Sequence, residues 1–93
     1  MDLILPLKKE YFEAIQTGNK NEEYRLCIPY WAKRLEHRRY ENIILTLGYP
    51  KREDHSRRIM RKWKIDKAPF VVKQIKHPHF GPDAVWVYAI DIS

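Results

Sequence analysis

The 93-residue chain holds a single cysteine, Cys27, so an internal disulfide is impossible and a cysteine-based zinc site has no basis. Cys27 lies in an apolar stretch and reads as a buried structural thiol. Long apolar runs are also missing. None approaches the roughly 20 residues that a membrane-spanning helix requires. The opening Met-Asp-Leu-Ile-Leu-Pro-Leu has no basic leader region and is interrupted by Pro6, so it does not read as a signal peptide. These absences predict a cytoplasmic protein with no membrane partner. Repeats and low-complexity segments are absent too. With 44% apolar and 13% aromatic residues the chain is too hydrophobic to stay unfolded, and its length suits one domain over 1–93.

Negative charge is scarce. Twelve Asp and Glu stand against eighteen Lys and Arg, for a net charge of +6 and a pI near 9.6. The excess is concentrated at residues 51–64, Lys-Arg-Glu-Asp-His-Ser-Arg-Arg-Ile-Met-Arg-Lys-Trp-Lys. A field of this sign draws phosphate backbones, and it draws acidic proteins and anionic lipid as well. Arg52, Arg57, Arg58, Arg61, Lys62 and Lys64 are therefore candidate phosphate contacts. Tyr49, Trp63, Tyr30 and Trp31 lie among or near basic residues, as side chains that stack on unpaired bases do. Each aromatic taken singly is more often core in so small a domain. Trp63, flanked by Lys62 and Lys64, is the one expected at the surface.

Pattern and punctuation predict an α+β chain. Leu3-Ile4-Leu5 reads as a buried strand stopped by Pro6. Residues Lys8 to Thr17 have helical spacing, with Leu7, Tyr11, Ala14 and Ile15 on one face and Phe12 beside it. Gly18 then stands where a helix ends in a left-handed residue. Glu23 to Ile28 reads as a strand, and Pro29 to Leu35 as a short helix with proline at its first position. Residues Tyr40 to Leu47 predict a central strand, followed by the turn Gly48-Tyr49-Pro50. Arg57 to Ile65 is ambiguous, because Ile59, Trp63 and Ile65 fit one face and Arg61 interrupts them. Strands at Phe70–Ile75 and Ala84–Ile92 complete the chain, the last apolar on both faces and so covered on both. Five to six strands with one or two helices fit a small barrel with helices packed at its ends.

The helix, its glycine and the following strand carry Gly18-x-Lys20-x-x-Glu23-x-Arg25. This arrangement resembles the signature of the ASCH family, named for homology to an activating signal cointegrator, in its small stand-alone form. The order of elements agrees over nearly the whole chain. The resemblance implies a PUA-like mixed β-barrel and binding of RNA or another nucleic acid, with a nucleotide or nucleoside as a further possible ligand. No cofactor and no metal are expected. Some small bacterial members are described as ribonucleases or as amidohydrolases acting on acetylated cytidine. The latter carry a threonine nucleophile where this chain has Glu23, and a carboxylate does not replace a hydroxyl nucleophile without a change of mechanism.

On a strand, Glu23 and Arg25 share a face. With Lys20 they form a candidate anion-binding cleft, in which Lys and Arg hold a phosphate or a polarised oxygen. Glu23 beside two cations is favoured as the carboxylate and is able to accept a proton or a hydrogen bond. Lys20 and Glu23 are thus the candidate catalytic residues of a metal-independent ribonuclease, with His77 or Tyr49 as its acid. The bland alternative is an ion-pair cluster that fastens the strand. His77 and His79 flank Pro78, and no third metal ligand stands at a recognisable spacing. The leading expectation is a small basic RNA-binding protein. A ribonuclease using the same cleft is the alternative.

Overall fold

A computed structural model describes all residues, 1–93. The chain is α+β, with six strands in two three-stranded sheets and two helices. The elements are β1 (Leu3–Leu7), α1 (Lys9–Gln16), β2 (Glu22–Leu26), α2 (Pro29–Leu35), β3 (Asn42–Leu47), β4 (Arg58–Lys62), β5 (Phe70–Ile75) and β6 (Val85–Asp91). Short 3₁₀ turns occupy His55–Arg57 and Pro78–Phe80. No helix is long and apolar enough to cross a membrane. The chain divides into two compact units, each built from separate stretches of sequence.

The first unit comprises residues 1–21, 39–63 and 92–93. Its sheet has the order β1-β3-β4, with β1 parallel and β4 antiparallel to the central β3. Leu3, Leu5 and Leu7 of β1 and Ile43 and Leu45 of β3 are buried, with Phe12 and Ile15 of α1. The strand β1 runs through Pro6 instead of stopping at it. Pro6 pairs with Thr46 in register, which an edge strand permits because a proline there need donate to no second neighbour. Leu7 consequently belongs to the strand, and α1 starts after Lys8, whose carbonyl accepts the Tyr11 and Phe12 amides.

The end of α1 follows its sequence signal closely. Gly18 has φ of 82°. Its N–H donates to the Ile15 carbonyl (3.0 Å), and the Asn19 N–H donates back to that of Ala14 (2.8 Å). This is the paired bonding that satisfies the last helix carbonyls and turns the chain.

Trp63 is buried, 5% exposed, which corrects its expected surface position. Its ring meets Tyr40 edge-on at 5.0 Å, and its backbone N–H donates to the Glu41 carbonyl. The flanking lysines misled because neighbours in extended chain point to opposite sides. A buried strand-end tryptophan has solvated neighbours for that reason. Arg61, the residue that broke the alternation, shares the Ile59 side, and its Nε donates to the Ile92 carbonyl at 3.1 Å. Ile65 lies beyond β4 and is exposed.

The second unit comprises residues 22–38 and 64–91. Its sheet has the antiparallel order β2-β6-β5. Central β6 is buried from Val87 to Ile90, so both faces are covered there, as its two-sided apolar pattern predicts. Trp86, toward its start, is exposed. The helix α2 begins with Pro29 after the extended Ile28, and its Leu35 is buried. Cys27 is only partly buried; its backbone N–H donates to the Trp86 carbonyl.

Candidate nucleic-acid interface

In the first unit, the segment between β3 and β4 is shaped by one side chain. Arg58 donates through Nη1 to the carbonyls of Lys51 and Asp54, both at 2.8 Å, and through Nη2 to that of Pro50 at 3.4 Å. Asp54 is held by the Ser56 hydroxyl (2.6 Å) and by Arg57 Nε (3.2 Å). The Ser56 hydrogen bond, with the charges of Arg57 and Arg58, keeps the Asp54 carboxyl below the usual carboxylate range. Gly48, with φ of 63°, bends the chain out of β3, and the Thr46 hydroxyl donates to its carbonyl at 2.7 Å. Clasped in this way, the loop displays Tyr49, 92% exposed, together with exposed Lys51 and Arg52.

The candidate phosphate contacts therefore separate into groups. Arg52 and Lys62 are exposed. Arg57 is exposed and paired with Asp54. Arg58 and Arg61 direct guanidinium donors to main-chain carbonyls and act as positioning residues for the loop and for β4. Lys64 is half-buried and belongs to the second unit, and Trp63 is core. Lys20 closes the turn after α1. Its backbone N–H donates to the Ala14 carbonyl, and its ammonium lies 4.4 Å from the Tyr11 ring centroid, a cation–π contact.

In the second unit, Glu23 and Arg25 do share a face of β2. Glu23 is 4% exposed, and its Oε1 accepts the Tyr24 N–H at 2.9 Å and lies 3.4 Å from Arg25 Nη1. The same Nη1 donates to the Tyr24 carbonyl at 2.8 Å, and the guanidinium lies 5.2 Å from the Trp31 ring centroid. Burial lowers the Arg25 pKa, and the Glu23 charge opposes that shift. A carboxylate engaged this way orients its arginine and fastens the strand.

The other face of this sheet carries Glu22, whose Oε1 accepts from Lys73 Nζ at 2.8 Å and from the Tyr24 hydroxyl at 3.1 Å. Beside α2, the Tyr88 hydroxyl donates to Glu36 Oε2. That bond foremost, and then burial, push the Tyr88 phenol up to about 12. Burial, and next the Glu36 charge, raise the Cys27 thiol, which makes it less reactive. Nδ1 of His77 accepts the His79 N–H at 3.1 Å, and both imidazoles meet Phe80 edge-on.

The Tyr88 hydrogen bond sets a pH-dependent term. A phenol whose folded pKa exceeds the unfolded value of about 10 contributes stability below that pH. The contribution disappears as pH rises through about 12. In an ultraviolet titration, one of the six tyrosines is expected to ionise at about 12, and that step is expected to vanish in Tyr88→Phe. Ionisation of every tyrosine together near pH 10 would contradict the hydrogen bond.

Sequence reasoning passed over Lys33, Arg34 and Arg38 at the end of α2. The signal was present as a second basic run, Lys33-Arg34-Leu35-Glu36-His37-Arg38-Arg39. Comparisons of the chain with protein-family models, with curated proteins and with solved structures find no match.

Proposed function

We propose that this chain is a small RNA-binding protein of the ASCH-like kind. Its contact surface in the first unit is the loop from Tyr49 to Arg57, with the exposed Lys62 at the other end of β4 as a further cation. The observation that carries this reading is the clasped basic loop. Arg58 and Asp54 fix the backbone, so Tyr49, Lys51 and Arg52 are presented without the entropic cost of ordering a mobile segment. An almost fully exposed tyrosine among cations suits a base stacked on a ring with its phosphates alongside. The net charge of +6 favours a polyanion over long range. The Gly18-x-Lys20-x-x-Glu23-x-Arg25 motif, with a helix before it and a strand within it, supports the family reading and with it the PUA-like barrel.

The test is a fluorescence-anisotropy titration of labelled single-stranded RNA over a salt series. Binding is expected at low salt, and the logarithm of the affinity should fall linearly with the logarithm of salt concentration. Arg52→Ala/Lys62→Ala is expected to lower that slope by about 1.4, at about 0.7 for each phosphate no longer neutralised. Tyr49→Ala should weaken binding roughly 5-fold or more and leave the slope alone. Absence of binding at low salt would remove the proposal.

A further inference from the structure

The end of α2 gathers charge and aromatic surface in the second unit. The Arg34 guanidinium lies 3.5 Å from the Tyr30 ring centroid, and its Nη1 donates to the Tyr30 carbonyl at 2.9 Å. Tyr30 is 53% exposed, and Trp31 meets it edge-on at 5.0 Å. The ring and the guanidinium thus form one fixed platform. Arg38 Nε donates to the Lys33 carbonyl at 3.0 Å, which brings Arg38 back to the last turn of the helix. His37, with φ of 58°, makes the turn that allows this. Lys33 and Arg38 are both exposed.

Helix capping explains part of this arrangement, since cations at a helix C-terminus are favourable. It does not explain why a large aromatic ring stays at the surface beneath a guanidinium. Nor does the local acid balance the charge. Glu36 is the one carboxylate between Pro29 and Arg38, and it accepts the hydroxyl of Tyr88. A flat cationic and aromatic platform with ammonium and guanidinium groups beside it matches an unpaired nucleotide, with the base stacked and the phosphates paired.

We infer that α2 and the turn after it form a second RNA-contact surface, specific for unpaired nucleotides. Tyr30 and Arg34 stack a base, and Lys33 and Arg38 hold the adjoining phosphates. The inference rests on the RNA-binding reading above and adds to it the strandedness of the ligand and a second binding surface.

The experiment measures binding of a labelled oligouridylate and of an RNA duplex of equal length to the full chain. Wild type is compared with Lys33→Ala/Arg38→Ala, Tyr30→Leu and Arg52→Ala/Lys62→Ala, each checked by thermal melting. The Lys33→Ala/Arg38→Ala variant is expected to lower the salt slope for oligouridylate by about 1.4. Tyr30→Leu is expected to weaken oligouridylate roughly 5-fold or more and to leave the duplex unchanged. If either variant melts early, Lys33→Gln/Arg38→Gln and Tyr30→Met replace them. Wild-type behaviour in both α2 variants, with the salt slope lowered in Arg52→Ala/Lys62→Ala, would overturn this surface and leave the RNA-binding reading standing. No wild-type binding at low salt would overturn both. Equal affinity for an acidic polypeptide of matched charge would overturn the stacking component.

Discussion

Glu23→Ala is expected to destabilise the protein by about 3 kcal/mol, the usual loss when one partner of a buried ion pair is removed. For a chain of this size that lowers Tm by about 12 °C or more. The reason is local. Arg25 is largely buried, its pKa is already depressed by that burial, and the Glu23 charge is what opposes the depression. Glu23→Gln should cost less, since its amide oxygen still accepts the Tyr24 N–H made at 2.9 Å in the parent. In a double-mutant cycle, Glu23→Leu/Arg25→Leu should lose less than the sum of its two single changes. Thermal and urea melts check all three. Full stability in Glu23→Ala would mean that the pair does not hold β2.

Trp63→Ala is expected to cost about 3–5 kcal/mol, as truncation of a large core aromatic does. The ring packs edge-on against Tyr40, and its removal leaves a cavity in the first unit. Trp63→Phe preserves most of the apolar volume and should fall between the two. Denaturant melts followed by tryptophan fluorescence measure the loss directly. A variant that melts like the parent but binds RNA weakly would restore the surface role that the flanking lysines suggest. The structure predicts the opposite: a large loss of stability, with binding by the folded fraction unchanged.

These two residues show how much sequence alone can say. Elements marked by backbone chemistry were legible. Gly18 ends α1 because only a residue tolerant of positive φ turns the chain there, and Pro29 opens α2 because a first helical position needs no N–H. The apolar pattern of β6 likewise forecast a strand covered on both faces. What failed depended on partners distant in the chain. Whether Pro6 stops a strand or sits in one depends on its being at a sheet edge. Whether Lys62 and Lys64 bracket a surface or a core tryptophan depends on where Tyr40 lies.

The candidate site divided along the same line. Charge density identified the 51–64 segment, because a long-range field depends on composition. It did not distinguish Arg52, which is exposed, from Arg58, which clasps three carbonyls of its own loop. Side-chain donors turned inward are invisible to a count of charges. Glu23 and Arg25 were legible as neighbours on one face of a strand, and their direct pairing follows from that spacing. Tyr30 and Trp31 were legible as stacking candidates, but the α2 cations went unread because they are interrupted by Leu35 and Glu36, the first buried and the second engaged by Tyr88.

The clasped loop also separates positioning from direct phosphate binding. Arg58→Ala should release the segment from Pro50 to Asp54 and weaken RNA binding without removing an exposed cation. Its salt slope should stay near the parent value while affinity falls, whereas Arg52→Ala should lower the slope by about 0.7.

The most direct measurement of the central claim is a backbone-amide NMR titration of the protein with single-stranded RNA at low salt. The expected result is a set of shifts that move with RNA concentration and concentrate on residues 49–57 and Lys62, with a second set at Tyr30 to Arg38. Spectra that do not move, or shifts confined to segments away from these surfaces, would contradict it.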